Sequence, residues 1–188
     1  MSGDPDAPAR LRRVLLVGFM GAGKSSVGRR VAKSLGWRFI DFDDEVTAAA
    51  GMSVPEIFEQ KGEAAFREIE AGVGQRLLAQ DEVVLASGGG WGAVPGRLDE
   101  VPAGTETFWL RVSAEEAVRR ASARPGTRPL LAGDDPLARA RRLLAERAPC
   151  YSRAEGVVDT DRRSVEDVTS EILGMLGRKY PEVPRTKA

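Results

Sequence analysis

Residues 18–25 read Gly18-Phe19-Met20-Gly21-Ala22-Gly23-Lys24-Ser25, a complete G-x-x-x-x-G-K-[ST] spacing. Such a loop turns backbone N–H groups inward around phosphate oxygens, and the helix behind it adds the positive end of its dipole. Lys24 can reach the outer phosphates, and the Ser25 hydroxyl is placed to hold Mg²⁺. The apolar run Val14–Val17 precedes the loop, and Val27, Val31 and Leu35 recur at helical spacing after it. Strand, loop and helix together are the context in which the motif binds a nucleoside triphosphate.

Other residues could act beside this loop. Asp41 and Asp43 stand at i and i+2, on one side of an extended chain. One could hold Mg²⁺ through water while the other accepts a proton from a hydroxyl. Asp43, Asp44 and Glu45 equally suit the acidic start of a helix. Gly88-Gly89-Gly90 follows the apolar run Val83–Ala86, so its backbone could approach a ligand closely or simply turn. Arg67 and Glu70 are one helical turn apart, the spacing of an ordinary exposed ion pair. Arg147 stands where its helix is expected to end, a place for a cation against the dipole. The two arginines together could instead grip an anionic acceptor, because guanidinium matches carboxylate geometry. Arg124 and Arg128 fall in a Pro- and Gly-rich stretch that reads as a lid over the phosphates or as a solvated basic loop.

The elements that must position these residues alternate. Strands are expected at 13–18, 37–41, 83–86, 107–110 and 156–159. Helices are expected after the phosphate loop, at 43–50, from Ser53, over 63–78, after Ser113, from Pro136 to about Arg147, and after Ser164. Ser53-x-x-Glu56, Ser113-x-x-Glu116 and Ser164-x-x-Asp167 mark helix starts, and Gly51 marks a stop. Residues 119–135 show no period and read as a mobile loop. Alternation of this kind predicts an α/β fold, a parallel sheet with helices on both faces and ligands at the carboxyl ends of its strands.

Composition narrows the chemistry. The 188 residues, 42% hydrophobic and 30% charged, suit one α/β domain with its own core. Formal net charge is zero, so no nucleic-acid partner is expected. One cysteine, Cys150, and no apolar run long enough for a membrane helix lead us to expect a cytoplasmic protein without a membrane partner. The chain has no histidine, which excludes histidine bases, ligands and triads. Carboxylates, Lys, Arg, backbone amides and a metal ion remain, an inventory suited to phosphoryl transfer.

Taken in order, Gly18–Ser25, Asp41-x-Asp43, Phe66-Arg67-x-Ile69-Glu70, Ser87-Gly88-Gly89-Gly90, Arg128-Pro129-Leu130-Leu131 and Arg147-Ala148-Pro149 before Tyr151 resemble the shikimate kinase family over about residues 13–176. The resemblance implies a P-loop kinase fold of the nucleoside-monophosphate-kinase type, with a five-stranded parallel sheet sandwiched by helices and a lid loop. It implies ATP-dependent phosphorylation of the 3-hydroxyl of shikimate in aromatic amino-acid biosynthesis, with Mg²⁺. Nucleotide binding would fall to Gly21, Ala22, Gly23, Lys24, Ser25, Ser26, Arg128 and Arg163. Shikimate binding would fall to Asp43, Arg67, Gly88, Gly89, Gly90 and Arg147, with Phe58 and Phe66 walling the pocket. Lys24, Asp43 and Arg128 would be catalytic, and Ser25 would hold the metal with Asp41 acting through water.

Two positions depart from the family pattern. The residue between the aspartates is usually a small hydroxyl residue and here is Phe42. The residue after the glycines is usually small and here is Trp91, followed by Gly92. The indole could reshape the acceptor pocket or turn away into the core. The lid is slightly enlarged around Arg124-Pro125-Gly126. A disordered lead is expected over 1–12, one domain over 13–178 with an acceptor segment at about 43–72 and a lid at about 122–136, and a polar tail over 179–188. The protein is expected to be a monomer. A related kinase for another sugar acid, and a non-catalytic ATP-binding module, are the alternatives.

Overall fold

Apolar runs bounded by turn residues decide the strands. In the computed structural model, which describes residues 10–122 and 135–183, these are β1 (Arg13–Val17), β2 (Arg38–Asp41), β3 (Val83–Ala86), β4 (Thr105–Arg111) and β5 (Gly156–Asp159). They form one sheet in the order β2-β3-β1-β4-β5, and every neighbouring pair is parallel. Every residue of β1 and β3 is buried. Successive strand side chains face opposite ways, so both faces of the sheet centre are covered. At the edge, β5 alternates buried and exposed residues.

Helices fill the connections. α1 (Lys24–Leu35) buries Val27, Val31 and Ala32 and stops at Gly36. α2 (Phe42–Ala50) is capped by the Asp41 side chain and stops at Gly51. α3 (Val54–Leu78) opens on the Ser53/Glu56 capping box and kinks at Gly62, where φ is 79°. The kink separates the two helices expected over this stretch. α4 (Ala114–Ser122), α5 (Pro136–Tyr151) and α6 (Val165–Lys179) follow, the last opening on the Ser164/Asp167 box. α1 packs against α6, α2 against α3, and α4 against α5.

Three expectations change. α4 runs on through Arg119 and Arg120, which were assigned to a loop; both reach back to Glu116 at helical spacing. α5 continues past Arg147 through Pro149 to Tyr151, so Arg147 lies inside the helix rather than at its end. Parts of the expected lead and tail are packed: Leu11 is 2% exposed, Tyr180 5% and Val183 4%. The rest of the expected lead (1–9), lid (123–134) and tail (184–188) lies outside the described residues.

The packed C-terminal segment has a polar anchor at the amino end of β4. Glu106 accepts from the Tyr180 hydroxyl at 2.7 Å and from Lys179 Nζ at 2.7 Å. Burial pushes Glu106 above the usual carboxylate range. Burial and then the Glu106 hydrogen bond push Tyr180 up to about 12, so its hydroxyl stays a donor at neutral pH. Tyr180→Phe should therefore cost about 1–2 kcal/mol of stability. Urea unfolding should show a lower midpoint with an unchanged slope, and an unchanged midpoint would refute the anchor.

Candidate active site

The order of the strands brings the phosphate loop after β1 to the middle of one sheet edge. β3 and then β2 lie on one side of it, β4 and then β5 on the other. In register, Asp41 stands opposite Ala86, and Ala86 opposite Leu16. The loops after β2, β3 and β1 thus emerge side by side.

Gly23 caps α1 with φ 92°, a conformation that favours glycine, and the first turn of α1 carries no acidic residue. The dipole end therefore faces the loop without a carboxylate in that turn. Lys24 Nζ donates to the carbonyls of Gly18 and Phe19 at 2.8 and 3.1 Å, so its ammonium folds back over the loop. Ser25 Oγ donates to Asp41 Oδ2 at 2.6 Å, while Asp41 Oδ1 accepts from the Asp43 N–H at 3.1 Å. Asp41 thus caps α2 and also touches the expected metal-binding hydroxyl. Among the described residues no three acidic or cysteine side chains are placed to hold a metal ion together. One hydroxyl and one carboxylate suit Mg²⁺, which is commonly held by one or two protein oxygens together with substrate phosphates.

The glycine loop after β3 is the meeting point of the second group. A Cβ on Gly88 would lie 2.8 Å from Asp43 Oδ1 and 2.9 Å from Glu70 Oε1. One on Gly90 would lie 2.3 Å from Arg67 Nη1, and one on Gly89 3.7 Å from Arg147 Nη1. Asp43, Arg67, Arg147 and all three glycines are therefore assembled in one place. The Arg67–Glu70 pair, 2.7 Å apart, is not a solvated surface pair: Glu70 is 3% exposed. Burial raises the Glu70 carboxyl above its ordinary range, and its hydrogen bond to Arg67 opposes that rise. Arg147 Nη1 donates to the Gly89 carbonyl at 3.2 Å. The Tyr151 hydroxyl donates to the same carbonyl, and burial pushes Tyr151 up to about 12. Sequence reasoning cited Tyr151 but assigned it no part in the site; its spacing of four from Arg147, one helical turn, was the available signal.

The aromatic residues divide. Phe58, 37% exposed, stacks on the buried Phe66 with centroids 4.6 Å apart. Trp91 and Phe42 are 1% and 0% exposed, so the indole turns into the core.

On the β4–β5 side a cleft is lined by Gly21, Ala22, Gly23, Ser26, Glu116, Arg119, Arg120 and Arg163. Arg120 donates to the Gly21 carbonyl at 2.9 Å, to the Thr160 carbonyl at 2.6 Å and to Glu116 at 2.7 Å. It ties α4 to the phosphate loop and to the loop after β5. Arg163 is held by the carbonyls of Asp159 and Asp167. Reading 119–135 as a loop hid Arg119 and Arg120; their i+3 and i+4 spacing from Glu116 was the signal. Arg128 lies outside the described residues.

Residues 20–177 match the family model described as shikimate kinase. A shikimate kinase from Synechococcus sp. (strain RCC307) is 44% identical over 98% of this chain and 97% of that protein. The structure of shikimate kinase from Acinetobacter baumannii in complex with shikimate superposes with a TM-score of 0.81 at 34% identity, covering 88% of this chain and 93% of that one. A gluconokinase from Sinorhizobium meliloti 1021 has a TM-score of 0.60 at 21% identity over 91% and 93% of the two chains, a likeness of fold alone.

The hydrogen bond from Arg119, with a second from Arg120, holds the Glu116 carboxyl down at about 2, from an ordinary value of 4.5. A depressed carboxyl stabilises the fold above its unfolded value and loses that contribution as pH falls through its folded one. Glu116→Gln should therefore be less stable than the parent at neutral pH. The gap should shrink as pH falls from about 4.5 toward about 2. Urea midpoints across that range test it, and a gap independent of pH would refute the assignment.

Proposed function

The chain belongs to the shikimate kinase family, and from that premise we propose that it transfers the γ-phosphoryl group of ATP to the 3-hydroxyl of shikimate. The carrying observation is the ring of Asp43, Arg67 and Arg147 around Gly88–Gly90, on the strand neighbouring the phosphate loop. Two guanidiniums and one carboxylate suit an acceptor that carries a carboxylate and a reacting hydroxyl.

In this reading Arg67 and Arg147 bind the shikimate carboxylate. Glu70 holds Arg67, and the carbonyl of Gly89 holds Arg147. Asp43 orients the attacking hydroxyl and accepts its proton. Lys24 and the loop amides offset the charge that spreads over the transferring phosphoryl group. Ser25 and, through water, Asp41 would hold Mg²⁺, which when bound neutralises phosphate charge. Arg128 is assigned to the same phosphoryl group on sequence alone. The purine base takes the cleft beside Arg120 and Arg163. No helix among the described residues is long and apolar enough to cross a membrane, and we read the protein as a cytoplasmic monomer.

The alternative of a changed acceptor rested on Phe42 and Trp91, and the burial of both rings removes that motive. The presence of Lys24, Ser25 and Asp43 in the sequence argues against a non-catalytic module.

ADP release from Mg-ATP should depend on shikimate and vanish in Lys24→Ala. Arg67→Ala and Arg147→Ala should each raise the shikimate KM about tenfold or more, with the KM for ATP little changed, as expected for a lost charge-assisted hydrogen bond. Release that ignores shikimate would overturn the reaction. Unaltered shikimate KM in both variants would overturn the roles.

A further inference from the structure

Beneath the acceptor site three chain segments meet at one apolar joint. The Phe42 and Trp91 rings lie edge to face, centroids 5.3 Å apart and planes at 73°. α3 reaches the pair at Gly74, where a Cβ would stand 2.5 Å from Trp91 Nε1 and 3.3 Å from Phe42 Cε2. Only a glycine lets the helix come this close without displacing the rings. The Arg97 guanidinium also lies over the indole, 5.2 Å from the ring centroid.

Each member is tied to a different part of the acceptor site. Phe42 stands between Asp41 and Asp43. Trp91 follows the glycine loop directly, and its backbone N–H donates to the Gly88 carbonyl at 3.1 Å. Gly74 lies on α3 at i+7 from Arg67 and i+4 from Glu70, on the same helical stripe. A shift in the ring pair therefore moves Asp43, the glycines and the Arg67–Glu70 pair relative to one another. The indole Nε1 is buried and has no hydrogen-bond partner among the described residues. What holds the ring is its shape against Gly74 and Phe42 together with the Arg97 guanidinium over it, not a hydrogen bond.

We propose that Phe42, Trp91 and Gly74 are positioning residues that set the spacing of the three acceptor-binding segments. The proposal rests on the reading that shikimate is bound at those segments. None of the three touches the acceptor; they act through Asp43, Gly88–Gly90 and Arg67.

The test places a methyl in the joint and then makes room for it. Gly74→Ala should raise the shikimate KM about tenfold, because overpacking a tight contact forces the neighbours apart. The KM for ATP should stay within about twofold, since the phosphate loop is not in the joint. Adding Trp91→Phe, which removes the atom 2.5 Å from the new methyl, should bring the shikimate KM back to within about twofold of the parent. If Gly74→Ala does not fold, Phe42→Leu opens the joint instead and should show the same split. A lower melting temperature with shikimate KM unchanged would make the joint merely structural and overturn the proposal. A parent enzyme that ignores shikimate would instead mark failure of the functional reading.

Discussion

The absence of side chains at Gly88 and Gly90 is the constraint on which the acceptor side depends. A carboxylate from α2, another from α3 and a guanidinium from α3 all approach this backbone to distances that a Cβ would forbid. Because they converge on main chain, the site can be small and still contain groups of both signs. The neighbouring strand ends then supply the rest: Asp41 from β2, and the phosphate loop from β1. The same economy of space recurs one layer down, where Gly74 admits an indole against α3.

The cations near the reaction centre are oriented largely by main-chain carbonyls. Lys24 rests on Gly18 and Phe19 and Arg147 on Gly89, while Arg120 lies on Gly21 and Thr160 and also pairs with Glu116. A carbonyl dipole fixes direction without cancelling a full charge, whereas Glu70 and Glu116 pair with Arg67 and Arg120 charge against charge. Glu70 and Glu116 differ in consequence. Glu70 is buried against one arginine and its carboxyl rises; Glu116 is gripped by two and its carboxyl falls.

Local signals carried far along the chain, and they failed where contacts are remote. The loop Gly18–Ser25 and the boxes Ser53/Glu56 and Ser164/Asp167 lie where expected, because each is closed by neighbours a few residues away. α4 and α5 ran beyond their expected ends. α4 continues because Glu116 pairs with two arginines. α5 ends on Tyr151, which is buried in the core, a long-range contact that periodicity does not report. Leu11, Tyr180 and Val183 were assigned to polar termini by their surroundings in sequence, yet each packs on the core.

From the sequence alone came the strand–loop–helix at the phosphate site, the alternation that implies a parallel sheet, and the candidate acceptor residues. These depend on residue type and short spacing, so a linear reading reaches them. The tertiary structure alone decided that Glu70 is buried, that Tyr151 reaches a carbonyl 62 residues away, and that Phe42 and Trp91 face each other instead of the acceptor. Burial and ring packing are set by whatever the fold brings alongside, and that partner is distant in sequence in each of these cases.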